Sequence, residues 1–293
     1  MRSTIAAIAA VVAAAAPISA LAAGAPAAAS AAAAPAPDPA LLAAVAAPHR
    51  SAGDKARDAY RHPAETLAFW GVKPGMTVLE ISPGAGWWTD ILAPYANKTG
   101  GRYIATGAPL EGPGSSEAGR AYRKAFEARI ADQAVYGKVQ VVPFGGEVRD
   151  LGPPNSVDVA FTARNVHNWV GRPGMVDAVF ADIFKVLKPG GVLGVKDHRA
   201  DPRAMKPDAS DGYVSEAYVI AAAERAGFVL DGRSEINANP KDTKDHPFGV
   251  WTLPPVRRSA PAGQPADPAF DRAKYDAIGE SDRMTLRFRK PAS

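Results

Sequence analysis

A strand, a glycine turn and a helix follow one another without a break between Val78 and Leu92, and this succession constrains the fold more than any other feature of the chain. The strand carries the acid Glu80 near its end, and Gly84 and Gly86 come soon after it. Because glycine has no side chain, the backbone of such a turn can approach a ligand closely. The segment therefore predicts a cradle for a nucleoside-type cofactor.

Two other interpretations of this turn stay open. A glycine pair also forms a tight strand-to-helix turn with no ligand. A dinucleotide fingerprint needs a third glycine three residues after Gly86, and Thr89 stands there. That residue weakens an NAD-dependent oxidoreductase as the function.

Short apolar strands alternate with helical periodicity from His62 onward, and this alternation is typical of βαβ units and a mostly parallel sheet. The predicted fold class is therefore α/β. Pro94 is expected to limit the helix after the glycine turn, and Ser115 or Ser116 to cap the next helix. Strands are predicted at 77–81, 102–106, 139–143, 157–162, 192–196, 228–236 and 284–289.

Four segments, in order along the chain, resemble one superfamily. The acid-x-small-x-Gly-x-Gly pattern from Glu80 resembles motif I of class I S-adenosylmethionine-dependent methyltransferases. Residues 155–159, 184–193 and 226–228 are similar to that superfamily's fourth strand, fifth-strand region and entry to the sixth strand. The resemblance covers about residues 55–292. It implies a Rossmann-like sandwich with a mostly parallel seven-stranded sheet, an antiparallel last strand and helices on both faces. It also implies S-adenosyl-L-methionine as the cofactor and methyl transfer as the activity.

The resemblance assigns cofactor contacts to the glycine turn. Glu80 would lie near the methionine amino group or organise the loop. The backbone at Ser82, Gly84 and Gly86 would face the cofactor. Ser82 replaces the usual first glycine, and standard geometry then requires a negative φ at this residue.

Further cofactor contacts are expected after the second, third and fourth strands. The superfamily's second-strand acid, which binds both ribose hydroxyls, falls at Gly107, so the expected carboxylate is missing. Glu111 could substitute, although an exposed loop charge is the commoner role for such a residue. Glu147 stands where the superfamily reads the adenine amino group, and Asn165 could orient cofactor or acceptor.

The catalytic candidates come from residues 162–169, because open α/β sheets bind ligands at the carboxyl ends of their strands. A base is needed when the acceptor must lose a proton, and histidine is the usual base, so His167 is the first candidate. Asp197 and His198 end the fifth strand on the same rim and are second candidates. The alternatives are a histidine bonded to backbone and a solvated loop. His62 is expected to cap the helix that follows it.

Metal, nucleic acid and membrane are not predicted partners. The chain has no cysteine, and its five histidines lack ligand spacing, so no metal site is predicted, although His167, Asp197 and His198 could conceivably form one. The net charge is +4, and the basic residues form no stripe. We expect a small-molecule acceptor and no stable membrane insertion, while the oligomeric state is not indicated.

The first residues have the composition of an export signal. Residues 1–23 run from a basic start through a short apolar stretch to small residues, which predicts a signal peptide, with an uncleaved anchor as the alternative. Residues 24–47 are rich in Ala and Pro and predict a flexible linker. A methyltransferase-like domain is expected at 48–293, with a Pro-rich insert at about 238–275 that forms a long loop.

Export implies a periplasmic or secreted protein. Residues 58–66 and 86–95 also resemble an exported subgroup of predicted bacterial methyltransferases. Because Gly107 lacks the ribose carboxylate, a non-catalytic protein that binds S-adenosylmethionine or a nucleoside is the alternative function.

Overall fold

The computed structural model describes residues 35–201 and 205–292. The predicted signal peptide at 1–23 and the first part of the predicted linker lie outside these residues. Among the described helices, none is both long enough and apolar enough to cross a membrane.

Seven of the described strands form one sheet. The strands are β1 (Thr77–Ile81), β2 (Arg102–Gly107), β3 (Gln140–Pro143), β4 (Val157–Ala163), β5 (Leu187–His198), β6 (Val229–Ser234), β7 (Pro247–Val250) and β8 (Arg283–Arg289). The sheet order is β3-β2-β1-β4-β5-β8-β6, and β7 is outside it. The first five strands pair in parallel, whereas β8 runs antiparallel to β5 and β6. The predicted fold class is confirmed.

Helices cover both faces of the sheet. They are α1 (Pro39–Ala46), α2 (Ala52–Ala56), α3 (Asp58–Arg61), α4 (Pro63–Phe69), α5 (Thr89–Thr99), α6 (Glu117–Arg129), α7 (Gln133–Tyr136), α8 (Val166–Val170), α9 (Met175–Val186), α10 (Glu216–Arg225) and α11 (Ala273–Ile278). Successive strand residues point to opposite faces, so Leu79 joins the core beneath α8, α9 and α10, and Val78 joins the core beneath α1 and α4 to α7.

β5 begins earlier than the sequence predicts. It starts at Leu187 instead of residue 192, and its pairing with β4 shifts between Val157 and Val159. The Pro-Gly-Gly stretch stays within the strand as an irregularity, where Gly190 has a φ of +76°.

The prediction that Pro94 limits α5 is wrong. The helix continues past this proline to Thr99 and ends at Gly100, whose φ is +72°. Pro94 has no N–H to bond to the carbonyl of Asp90. The His49 Nε2 atom lies 2.8 Å from that carbonyl oxygen and supplies the missing partner. A long-range hydrogen bond thus lets the helix tolerate the proline.

The predicted flexible linker needs a correction in its described part. Residues 39–46 form α1, which Asp38 caps through hydrogen bonds to the N–H groups of Ala40 and Leu41. Leu41 is fully buried in the core that α5 also lines, and the Tyr95 hydroxyl donates to Asp38 at 2.7 Å. The helix was not predicted because its short apolar stripe of Leu and Ala is hidden in an alanine-rich context.

The Pro-rich insert at 238–275 is largely irregular, as predicted, but it also contains β7 and the first residues of α11. It is anchored by the buried Asp242, which accepts hydrogen bonds from the Tyr213 hydroxyl and lies 2.8 Å from Nε2 of His246. This anchoring places Trp251 over the rim formed by the carboxyl ends of β4 and β5.

Candidate functional site

The glycine turn stands at the carboxyl end of β1. Ser82, Gly84 and Gly86 have φ values of +55°, +61° and +87°. The expected negative φ at Ser82 is therefore wrong. Its N–H donates to Oγ1 of Thr106 at 2.7 Å, and its carbonyl accepts from Nδ2 of Asn165 at 3.3 Å. Hydrogen bonds from β2 and from the turn after β4 hold the serine in the left-handed region.

A cavity of about 270 Å³, the glycine-turn cavity, lies over this turn. Its floor includes Gly84 and Gly107, and the rings of Tyr122, Phe126 and Phe144 line it from other elements. A Cβ added at Gly84 would lie 3.8 Å from the Tyr122 hydroxyl, an ordinary contact. The turn therefore leaves open space above its backbone, and the rings offer flat apolar surfaces suited to a nucleobase.

Glu80 lies under the turn, outside the residues that line the cavity. It is buried and accepts hydrogen bonds from the hydroxyls of Tyr103 and Thr89. Burial raises the pKa of Glu80 to about 8, although the two hydroxyl hydrogen bonds oppose this rise. Of the two predicted roles for Glu80, this geometry corresponds to organising the loop.

Gly86 faces protein instead of the cavity. A Cβ at this position would lie 3.0 Å from Cδ of Arg129. That arginine forms salt bridges with Asp90 and Asp54, so it is held against the turn from α6. The glycine is required for close packing of α6 and does not itself border the open space.

Gly107 lies at the end of β2, as the sequence analysis expected for the ribose-binding position. A Cβ at Gly107 would lie 2.7 Å from Cδ and 2.9 Å from Nη1 of Arg123. The Arg123 guanidinium pairs with Glu127 at 2.7 Å. Arg123 thus fills the space beside Gly107, where the superfamily has its ribose-binding carboxylate. The cavity fits a nucleoside at the turn and at the rings, and it offers no carboxylate at Gly107.

The two other acidic candidates lie away from the glycine-turn cavity. Glu147 is exposed and lines a separate depression with Arg149 and Asp182. Glu111 is an exposed loop residue. Neither carboxylate is among the residues that line the glycine-turn cavity.

A second cavity, the histidine cavity, has a volume of about 220 Å³. It is lined by Arg164 and His167 after β4, by His198 at the end of β5 and by Trp251 from the insert. Asn165, which lies between Arg164 and His167 in the chain, lines the glycine-turn cavity and donates to the carbonyls of Ile81 and Ser82.

His167 and Asp197 form a buried pair on this cavity. The His167 Nδ1 atom lies 2.8 Å from Oδ1 of Asp197, and the backbone N–H of His167 donates to Oδ2 at 3.2 Å. The carboxylate therefore fixes both the ring and its main chain. With Nδ1–H donating to Asp197, the Nε2 lone pair is available to accept a proton, which is the arrangement used by general bases.

His198 is also brought to the site. Its Nδ1 bonds to the Ser281 hydroxyl, and its ring lies 5.2 Å from that of His167. Burial, then the neighbouring His167 and Arg283, keep the pKa of His198 well below its usual range. It is therefore neutral at physiological pH.

His167, Asp197 and His198 place their ligand atoms within 4.8 Å of one another, a spacing that could hold a metal ion. However, Arg164 and Arg283 act electrostatically on the same group. Such cations oppose binding of a divalent metal. The absence of a metal site therefore stays a prediction.

The predicted capping role of His62 is wrong. His62 has a φ of +41°, and its side chain makes no cap hydrogen bond with α4. Pro63 occupies the first turn and removes one of the N–H groups that a cap would satisfy.

Several residues that line the two cavities were not predicted. Tyr122, Arg123 and Phe126 come from one face of α6, and Phe144 and Trp251 come from loops. The α6 face is amphipathic in sequence, but periodicity alone does not say that it packs beside the glycine turn. Loop residues carry no period at all, so only the fold locates them.

No protein-family model matches the chain. Two ubiquinone/menaquinone biosynthesis C-methyltransferases UbiE match it in sequence. The protein of Shewanella piezotolerans is 27% identical over 128 residues, and that of Shewanella pealeana is 30% identical over 131 residues. Each match covers 44% of this chain and 45% of the relative, so the chain spans less than half of the relatives' length.

Solved structures share the fold over most of the chain. Geranyl diphosphate C-methyltransferase from Streptomyces coelicolor, in complex with Mg²⁺, geranyl diphosphate and S-adenosyl-L-homocysteine, superposes with a TM-score of 0.51 at 16% identity and covers 85% of this chain and 87% of its own. The chain is thus similar to S-adenosylmethionine-dependent methyltransferases in sequence over 44% of its length and in fold over most of it. The resemblance to the class I superfamily predicted from sequence is confirmed, whereas the exported subgroup stays a prediction. Within this fold, the [4+2]-cyclase SpnF also superposes, with a TM-score of 0.51 at 16% identity over 86% of this chain and 92% of its own. The fold alone therefore does not define the reaction.

Proposed function

We propose that the protein catalyses S-adenosyl-L-methionine-dependent methyl transfer to a small-molecule acceptor. The observation that carries this proposal is the turn after β4, which lines both cavities. Asn165 lines the glycine-turn cavity, while Arg164 and His167 line the histidine cavity. A donor in the first cavity and an acceptor in the second would meet at this turn. Sequence relatives that are methyltransferases support the same activity.

The glycine-turn cavity would hold the cofactor. Gly84 would give the ligand close access to the backbone, and Asn165 would keep the turn in shape through its bonds to two turn carbonyls. The rings of Tyr122, Phe126 and Phe144 would enclose the adenine. The bound sulfonium supplies an electrophilic methyl group, so positioning provides much of the rate acceleration.

His167 would act as the general base for an acceptor that loses a proton. Asp197 orients the ring through its bond to Nδ1 and stabilises the imidazolium that forms after proton uptake. Because both groups are buried, bulk water does not screen this interaction. Because its pKa lies well below the usual range, His198 is a weak proton acceptor, which leaves His167 as the candidate base of the cavity.

Conversion of S-adenosylmethionine to S-adenosylhomocysteine by purified protein tests the proposal. The acceptor panel consists of small molecules and includes quinone-biosynthesis precursors, because the matched relatives are named for that pathway. We expect turnover in the wild type and a loss of about 10²–10⁴-fold in His167→Ala, with affinity for S-adenosylhomocysteine unchanged.

His246→Gln is the matched control. His246 also lies 2.8 Å from a buried aspartate, Asp242, but is not among the residues that line the histidine cavity. We expect this variant to keep turnover, because the glutamine amide can still donate to Asp242 and so retain the anchor of the insert. No turnover with any acceptor, together with no binding of S-adenosylhomocysteine, would refute the proposed function. Equal loss of turnover in both histidine variants would remove His167 from the role of base.

We also propose that the chain is exported to the periplasm or beyond. The basic start and apolar run of residues 1–23 support this proposal. Expression of the full chain in a Gram-negative host, followed by mass spectrometry of the periplasmic fraction, should yield a protein that starts after about residue 23. Recovery of uncleaved protein in the cytoplasm alone would contradict export.

A further inference from the structure

A group of cationic side chains lies behind the histidine cavity. Arg57 and Arg61 come from the segment before α4. Lys196 comes from β5 and Arg283 from the neighbouring strand β8, two register positions away. Arg164, in the turn after β4, interacts electrostatically with Arg283 and Arg57. We call these five residues the cation group.

The carboxylates near this group do not balance the charge of its four arginines, even though burial keeps the pKa of Lys196 well below its usual range. Glu280 accepts hydrogen bonds from Arg57, Arg61 and Arg283, which makes it the shared partner of three guanidinium groups. Burial alone would raise the pKa of Glu280, but these three cations bring it below its usual range. Asp197, the other carboxylate that acts on Arg164, already bonds to His167.

Donor groups in the cation group remain without acceptors. Among the residues that the structure describes, Nη2 of Arg61 and both Nε and Nη1 of Arg283 are buried without a hydrogen-bond partner. Arg61 and Arg283 are only 3% and 1% exposed. Buried donors normally find acceptors. Arg283 pairs in the sheet with His198, which lines the histidine cavity, so its unpaired donors indicate a nearby place for an acceptor that is not part of the chain.

Arg164 connects the cation group to the cavity. Its side chain makes no hydrogen bond or ion pair with the described part of the chain, although it lines the histidine cavity. Its backbone has a φ of +64°, and its N–H donates to the Lys196 carbonyl at 2.7 Å, which fixes where the side chain starts. Burial, and then Arg283, lower the pKa of Arg164 to about 10, so it remains charged at neutral pH.

We propose that the cation group forms the binding site for an anionic group of the methyl acceptor, a carboxylate or a phosphate, with Arg164 as the contacting residue. The assignment of the anion to the methyl acceptor rests on the proposed function, whereas the existence of the anion site does not depend on it. Oxygen anions fit because guanidinium groups bind them through paired, charge-assisted hydrogen bonds. A cation in the same place would meet the repulsion of Arg164 and Arg283.

Calorimetric titration of the purified full chain tests the site. The probes are inorganic phosphate and acetate at constant ionic strength, with S-adenosylhomocysteine titrated separately. We expect saturable, one-site binding of at least one of the two anions, and their relative affinities distinguish a tetrahedral from a planar group. Arg164→Gln should weaken this binding at least about tenfold, and Arg164→Lys less than that, because lysine keeps the charge but loses the paired donors.

Arg257→Gln is the matched control for this titration. Arg257 also has a positive φ, of +56°, but it is exposed and pairs with Asp276. We expect it to bind the anion as the wild type does. Failure of both anions to saturate, or equal binding by Arg164→Gln and wild type, would overturn the anion site.

The two proposals fail separately in this design. If an anion binds through Arg164 but S-adenosylhomocysteine does not bind, the anion site stands and the methyltransferase function fails. If S-adenosylhomocysteine binds and neither anion does, the function stands and the anion site is rejected. Where both bind, carboxylated or phosphorylated acceptors should be methylated faster than their neutral esters, and equal rates would contradict the acceptor assignment.

Discussion

At the scale of single residues, Glu80 is buried and accepts hydrogen bonds from two hydroxyl groups. Its pKa of about 8, against an ordinary value of 4.5, means that the folded protein holds this proton more tightly than the unfolded chain. The folded state is therefore favoured most below about pH 4.5. That contribution is lost as the pH rises toward about 8, at up to about 1.4 kcal/mol per pH unit.

Glu80→Gln should remove this pH dependence. Glutamine resembles the protonated carboxyl in shape and still accepts from the hydroxyls of Tyr103 and Thr89. We expect the variant to gain unfolding free energy relative to the wild type as the pH rises from 5 to 8. Urea denaturation at several pH values measures the difference. Glu65→Gln, at an exposed position of α4, is the control and should parallel the wild type. If the unfolding free energy of the wild type and of Glu80→Gln changed with pH in parallel, the raised pKa of Glu80 would be contradicted.

The site residues divide by how much the sequence revealed of them. His167 and Asp197 were predicted because each follows a strand whose carboxyl end forms the binding edge of the sheet, but their 2.8 Å pairing required the structure. Ser82 was expected at negative φ, since the prediction had no knowledge of the hydrogen bonds from Thr106 and Asn165 that hold it elsewhere. The cation group was not predicted, because its members are separated widely in sequence and meet only through the sheet.

At the scale of elements, α1 is an integral part of the domain. It packs Leu41 against the core and turns Leu42, its neighbour, toward solvent. The two leucines differ in burial, at 0% and 50% exposure, within one helix. They therefore offer a matched pair for testing whether α1 is docked.

Leu41→Ala should lower the free energy of unfolding by about 2–5 kcal/mol, because it removes a buried side chain and leaves a cavity. Leu42→Ala should change it by less than about 0.5 kcal/mol, since it removes exposed surface. Chemical denaturation of both variants measures the two values. Equally small losses would show that α1 is not docked in solution.

Elements were predictable where the chain signals them locally. β1 has the predicted bounds because an apolar run lies between two glycine turns, and α6 begins after Ser116, which caps it as expected. α5 extends beyond its predicted end because a distant residue, His49, bonds to the Asp90 carbonyl that Pro94 cannot reach. Local patterns predict elements whose hydrogen bonds are local, and they fail where a long-range partner decides the boundary.

At the scale of the whole molecule, the sheet brings four strand ends to one edge. β1, β2, β4 and β5 run in parallel, so the turns that follow them lie at one edge and contribute residues to the two cavities. The antiparallel β8 then delivers Arg283 to the same edge, paired with His198 at the end of β5. A mostly parallel sheet thus gathers the glycine turn, the histidine pair and the cations from distant parts of the chain.

The central claim is that the glycine-turn cavity binds the methyl-donor cofactor, and calorimetric titration with S-adenosylhomocysteine tests it most directly. Gly84→Val would place methyl groups in the cavity. Gly100→Val, at the end of α5, has a similarly positive φ but no atom within 4 Å of its added Cβ, so it carries the same backbone strain away from the cavity. We predict one-site binding by the wild type and by Gly100→Val, and at least about tenfold weaker binding by Gly84→Val. No binding by the wild type, or equal binding by all three proteins, would contradict the claim.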